Sequence, residues 1–159
     1  MTKFNISIEA AEQELLSALK KIDFPNPEFA SHAAIWLEAC DYPGLQNLQE
    51  ARADTPQEFQ IKRTAIGLDL QNISCALIGE LLVNDILKNG RVFLRNVRHG
   101  LFLLPSSVSK NFGIGCLVDP SFAIGGERSK NPYGEKLEKA ALEGINIDED
   151  LWRELMDQT

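Results

Sequence analysis

The chain has 159 residues, long enough for one domain to bury a substantial core. Hydrophobic residues at 44% and charged residues at 25% are ordinary for a globular protein. A formal net charge of −7 argues against nonspecific nucleic-acid binding, which needs a basic surface to displace counterions. No segment approaches the roughly 20 apolar residues that a membrane span requires.

The N-terminus, MTKFNISIEAAEQELL, carries acids early and has no long apolar run, so it does not read as a signal peptide. Ser7 can cap a first helix, in which Ile8, Ala11, Leu15, Leu19 and Ile22 recur at helical spacing until Phe24-Pro25. Asn26-Pro27-Glu28 restarts a helix with a capping side chain, a proline whose missing N–H costs nothing there, and an acid at the positive helix end. Phe29, Ala33, Trp36, Leu37 and Cys40 form its apolar stripe, and Tyr42-Pro43-Gly44 breaks it. The two helices read as an antiparallel hairpin. Ala51 to Thr55 is polar and reads as a linker within the fold, and Thr55-Pro56-Gln57-Glu58 as a capping box opening a short helix.

The middle of the chain is ambiguous. Ile66, Leu68 and Leu70 alternate, as do Ile73, Cys75 and Leu77, which favours a strand near 72–78 followed by a helix from about 80 to 89. Leu70, Ile73, Leu77 and Leu81 also match a helix. Gly90 suits a helix C-terminus. Arg91–Val97 and Leu101–Leu104 flank Arg98-His99-Gly100 and read as a β-hairpin, with a further short strand at Gly113–Val118. Asn131-Pro132 starts a helix carrying Leu137, Ala140 and Ala141 up to Gly144, and Asp148 caps a last helix with Leu151, Trp152 and Leu155. The expectation is a single α+β domain over 1–159: a helical part over about 1–63, a small mixed or antiparallel sheet over about 64–131 with its hairpin near 91–104, and a helical tail over about 132–157.

Candidate chemistry concentrates in Arg91–Tyr133. On a strand Arg91 and Arg95 share a face but stand roughly 14 Å apart, too far to grip one small anion. Arg95, Arg98 and His99 converge if the turn curls back, and the planar arginine fork suits carboxylate or phosphate. The competing reading is that these arginines pair with the protein's own acids. Gly125 and Gly126, with Glu127, Arg128 and Lys130, form a loop that can cradle phosphate ahead of Asn131-Pro132, although no established phosphate-loop spacing is present. His99 is a candidate general acid/base, and Cys116, next to Gly113 and Gly115, a candidate thiolate nucleophile with His99 as its base. His32 reads as a surface or boundary residue.

The three cysteines, Cys40, Cys75 and Cys116, are far apart and odd in number, which is no disulfide framework. Apolar neighbours at Cys40 and Cys75 predict reduced, buried thiols in a cytoplasmic protein. Asp119, Glu127, His99 and Cys116 have no recognised metal-ligand spacing, and no cofactor is implied.

The strings DLQNISC (69–75), GRVFLRNVRHGLFLLP (90–105) and GIGCLVDPSFAIGGERSKNPY (113–133), with the closing EDLW, resemble an uncharacterised bacterial family catalogued as domain of unknown function 3726. That resemblance covers most of the chain and implies no activity, cofactor or catalytic residue. The two N-terminal helices and the Gly-Leu that follows are similar to the opening of the malate/L-lactate dehydrogenase-like oxidoreductases, which show Asp-Ser-His-Gly there. Here Cys40-Asp41-Tyr42-Pro43-Gly44-Leu45 lacks the histidine, and the chain is too short for that family's full machinery.

The leading expectation is a binding module for a small anionic molecule, using Arg95, Arg98, His99, Gly125, Gly126, Glu127 and Arg128. One alternative is a homodimer or accessory subunit that uses an apolar sheet edge near Phe93 and Leu101–Leu104. The other is a small enzyme using Cys116 or His99.

Overall fold

In the computed structural model the described residues are 2–53, 63–64, 67–90, 92–110, 112 and 133–157. In chain order they form β1 (Lys3–Ile6), α1 (Ile8–Lys21), α2 (Pro27–Ala39), α3 (Gly44–Arg52), β2 (Arg63–Thr64), β3 (Gly67–Asp69), α4 (Cys75–Asn89), β4 (Leu94–Arg95), a 3-10 turn (Gly100–Leu103), α5 (Leu104–Lys110), α6 (Gly134–Glu143), β5 (Ile145–Asp148) and α7 (Glu149–Met156). This is an α+β fold with two small sheets. β1 and β5 pair antiparallel, so that the first strand lies beside the last. The other sheet is mixed, in the order β2-β3-β4, with β2 antiparallel and β4 parallel to β3.

Most element ends follow from local chemistry. The Ser7 side chain accepts from the Ala10 N–H at the start of α1, and Asp148 accepts from the Leu151 N–H at the start of α7. Gly90 and Gly144 end α4 and α6 at positive φ. Pro27 opens α2, but Asn26 sits in the left-handed region and makes no side-chain cap. α3 has Pro43 at its cap position and borrows its anion from α2: Glu38 Oε1 accepts from the Leu45 N–H at 3.0 Å.

α2 is the central element. It packs on α1, α3, α4, α5, α6 and the 3-10 turn. Ala30, Ser31, Ala33, Ala34, Ile35, Leu37 and Ala39 are all buried, so α2 is apolar nearly all round, as a helix surrounded by protein must be. Its alanines let neighbours come close. At Gly44 the first turn of α3 meets α2 so tightly that a Cβ would stand 2.8 Å from Leu37 Cβ and closer still to the Ala34 carbonyl oxygen. One apolar cluster joins these helices to Leu68, Leu70, Phe102, Ile147, Trp152 and Leu155.

Several expectations need correction. There is no strand over 72–78. β3 ends at Asp69, whose side chain accepts from the Gln71 N–H, and left-handed Gln71 and Asn72 turn the chain before Ser74 caps α4. There is no hairpin over 91–104 among the described residues. β4 instead lies parallel to β3, reached through α4, and Leu101–Leu104 enter a 3-10 turn and α5 with all four side chains buried. Four consecutive apolar residues carry no period, and Pro105 in the first turn of α5 was the helix signal. The stretch read as a linker from Ala51 begins inside α3, where Ala51 is fully buried. Ala141 lies exposed on α6 instead of in its apolar stripe. β1, α3 and β5 have no counterpart among the expected elements. The elements expected at 54–62, Gly113–Val118 and Asn131-Pro132 fall largely or wholly outside the described residues.

The tight α2–α3 seam gives a stability prediction. Gly44→Ala forces backbone apart and is expected to destabilise by about 1–3 kcal/mol. A Cβ added at Gly134 would meet nothing within 4 Å, so Gly134→Ala in α6 is expected to stabilise by about 0.5–1 kcal/mol. Urea unfolding of the two variants beside the wild type measures both.

Candidate functional site

The ends of the parallel strands β3 and β4 gather the polar residues of the central segment. Asn72 N–H donates to the Asn96 carbonyl and Cys75 N–H to the Arg98 carbonyl, so the pairing continues past the strands as far as Ser74 opposite Arg98. Gln71, Asn72, Asn96 and His99 all have positive φ, an unusual density of left-handed backbone outside glycine. Asp69 Oδ1 accepts from Asn96 Nδ2 at 2.9 Å. That bond, the Gln71 N–H and the nearby Arg95 together hold the Asp69 carboxyl below its usual range.

Behind this crown runs a chain of three side chains from different elements. Ser74 Oγ lies 2.6 Å from His99 Nδ1, and His99 Nε2 lies 2.8 Å from Glu50 Oε2. Ser74 is fully buried and also accepts from the Ala76 N–H as the cap of α4. The Glu50 carboxylate can only accept, which places a proton on His99 Nε2, and Nδ1 of the neutral imidazole then accepts a hydrogen bond from the Ser74 hydroxyl. The His99 hydrogen bond is the largest cause holding the Glu50 carboxyl below its ordinary value, and Gln46 and Arg98 add to it. The trio has the composition of a hydrolytic triad but not its layout. The serine has no exposed surface, and it meets the imidazole through Nδ1, the nitrogen that a triad gives to its acid. This arrangement ties α3, the start of α4 and the start of the 3-10 turn together.

A cleft of about 370 Å³ is lined by Ile22, Phe24, Pro25, Leu77 and the last turn of α3 from Gln49 to Arg52, with Ala53 beyond it. Arg52 Nη1 donates to Gln49 Oε1, the Glu154 carbonyl and the Leu155 carbonyl, each at 3.1 Å. It thus caps the last turn of α7, whose carbonyls lack helical partners. Burial among apolar neighbours lowers the Arg52 pKa, and among the described residues no carboxylate pairs with its guanidinium. The oxygen of Gln49 faces the guanidinium, so its NH2 group is turned away from Arg52.

The residues expected from the sequence are distributed as follows. Arg95 is exposed beside Asp69, Arg98 stands in the field of Glu50, and both nitrogens of His99 are engaged within the protein. Arg91, Cys116, Gly125, Gly126, Glu127 and Arg128 lie outside the described residues. Sequence reading missed Ser74, Glu50, Gln49 and Arg52. Ser74 was findable as a cap ahead of an apolar run, and α3 by the spacing of Leu45, Leu48 and Ala51; nothing local pointed to the pairing of Glu50 with His99. His32 is exposed and bonds Glu12 at 2.9 Å, which raises its pKa. Cys40 and Cys75 are free and buried, and burial pushes their thiols up to about 11 and about 12. Among the described residues no three His, Cys, Asp or Glu side chains are grouped to hold a metal, and no helix is long and apolar enough to cross a membrane.

No protein-family model, curated protein or solved structure matches this chain.

The Ser74–His99–Glu50 chain predicts a pH signature. A carboxyl depressed in the folded state contributes stability above its unfolded pKa, and that contribution is lost as pH falls through the folded value. Glu50→Gln is therefore expected to be less stable than wild type near neutrality, with the difference shrinking below the ordinary glutamate value of 4.5. Ser74→Ala removes a cap and strands a buried imidazole nitrogen, a loss of about 1–3 kcal/mol. Unfolding curves across pH measure both.

Proposed function

We propose that the protein is a binding module for a small anionic molecule, and that the anion sits in the Arg52 cleft. The observation that carries this reading is a partly buried guanidinium with no carboxylate partner among the described residues, standing in a cleft that it shares with the apolar side chains of Ile22, Phe24, Pro25 and Leu77. A partly desolvated cation favours an anion more strongly than an exposed one does, because water competes less for it. Arg95 and Arg98 support the reading less well, since Asp69 and Glu50 already offset their charge. His99 adds no free donor or base to it. The reduced, buried Cys40 and Cys75 accord with a cytoplasmic setting.

The test is a thermal-shift and titration panel of small carboxylates and phosphates on the wild type, Arg52→Gln, Arg98→Ala and Arg95→Ala. The expected result is a ligand-dependent rise in Tm that Arg52→Gln abolishes and the other two variants keep. Arg52→Gln also loses the α7 cap, so the ligand-dependent shift is compared and not the bare Tm. No shift with any anion overturns the proposal.

A second reading, assembly through a sheet edge, draws on one observation. Among the described residues β4 is one of the two outer strands of the mixed sheet, and Phe93 beside it is 64% exposed. Leu101–Leu104 do not contribute, being buried. Light scattering at rising concentration decides it: a dimer that Phe93→Ser dissociates supports assembly, and a strict monomer removes it.

A further inference from the structure

Resting on the anion reading above, we infer that the Arg52 cleft takes a monocarboxylate with an apolar tail. The two halves of the cleft recognise the two halves of such a molecule. Ile22, Phe24, Pro25 and Leu77 present hydrocarbon from the end of α1, the connection to α2, and α4. Leu77 and Phe24 are themselves nearly buried, so they form a fixed wall, and Ile22 at 38% exposure leaves apolar surface for a ligand to cover.

The polar half is small and fixed in place. Arg52 is anchored through Nη1 to Gln49 and to two carbonyls of α7, and its remaining N–H groups have no partner among the described residues. The planar guanidinium and its single positive charge match the two oxygens and single charge of a carboxylate. A phosphate dianion would leave one negative charge unbalanced in a partly desolvated site beside the carbonyl ends of α7, where the helix dipole is also negative.

Size sets a further limit. A volume of 370 Å³ holds about a dozen water-sized groups, given roughly 30 Å³ each. That accommodates a carboxylate and a short or branched hydrocarbon tail.

The experiment is calorimetric titration of the full chain with straight-chain monocarboxylates from acetate to octanoate, with octanamide and inorganic phosphate alongside. Affinity is expected to rise about two- to fourfold per methylene until the tail outgrows the cleft. Octanamide is expected to bind at least about tenfold more weakly than octanoate, and phosphate not measurably. Arg52→Gln should erase the preference for octanoate over octanamide. Ile22→Asn, at a partly exposed position chosen so that folding survives, should flatten the dependence on chain length. Acetate and phosphate binding as tightly as octanoate, through Arg52, would overturn this inference and leave the anion reading standing. No binding by any anion overturns both. Octanoate binding equally to wild type and Arg52→Gln overturns both as well, since the tail would then be partitioning without a charge partner.

Discussion

The hydroxyl of Ser74 has no water to turn to, because the residue is fully buried, so its hydrogen bonds must all be made inside the protein. It accepts from the Ala76 N–H and donates to His99 Nδ1, and both bonds organise long stretches of chain. The first starts α4 directly after the β3 turn, which lets α4 carry the chain round to bring β4 parallel to β3. The second holds the left-handed residue His99 where the 3-10 turn begins, and so feeds Leu101–Leu104 into the core. His99 then passes the constraint to Glu50, which fixes the last turn of α3. The cap of α4 and the turn at His99 thus share one oxygen, and losing it unsatisfies both.

α3 is held by charge along its length. Its N-terminus takes the half-buried Glu38 carboxylate, and its last turn gives Glu50 to His99 and sends Arg52 to α7. Burial raises the Glu38 pKa against the opposing pull of the Leu45 N–H, so this carboxyl is less costly to keep when it is protonated. By contrast, the exposed pairs Lys20–Glu28, Lys136–Asp41 and Arg153–Glu149 lie in water and contribute about 0–1 kcal/mol each. Hydrogen bonds between a charged group and a neutral, partly buried partner contribute about 1.5–3 kcal/mol. The Leu45 N–H to Glu38 and Arg52 to Leu155 bonds belong to the second kind, whereas Glu50–His99 and Arg52 to the Glu154 carbonyl are exposed. Only nine residues long, the helix would be marginal alone, and it is placed by the burial of Leu45, Leu48 and Ala51 together with these polar contacts.

Elements with a full helical period or a standard cap were legible in the sequence: α1 from Ser7, α7 from Asp148, and the ends of α4 and α6 from Gly90 and Gly144. Shorter elements were not. β1 and β5 each offer only two inward apolar residues, and their stability comes from pairing across almost the whole chain, which no local window contains. The segment 66–78 satisfied both periods, and a side chain decided it: Ser74 favoured the helix by capping it. The candidate site was less legible still. His99 was conspicuous in sequence because it sits beside Arg98 and Gly100, yet both of its nitrogens are consumed by Ser74 and Glu50, 25 and 49 positions away. Arg52 was inconspicuous because its importance depends on burial and on the carbonyls of α7, which sequence spacing does not encode.

The same magnitudes bound what the Arg52 cleft can do. A ligand of about ten non-hydrogen atoms at an ordinary efficiency near 0.5 kcal/mol per atom gains about 5 kcal/mol. That corresponds to a Kd of roughly 0.2 mM, the range of an abundant metabolite and not of a scarce signal. At ten times that concentration, binding adds about 1.4 kcal/mol to the folded state. This is the size of a single cap or charge-assisted hydrogen bond in the set that holds α3. Gln49 and Arg52 belong to that helix, and Arg52 also holds α7, so a ligand bound there as proposed would strengthen the seam between α3 and α7 in proportion to its own occupancy.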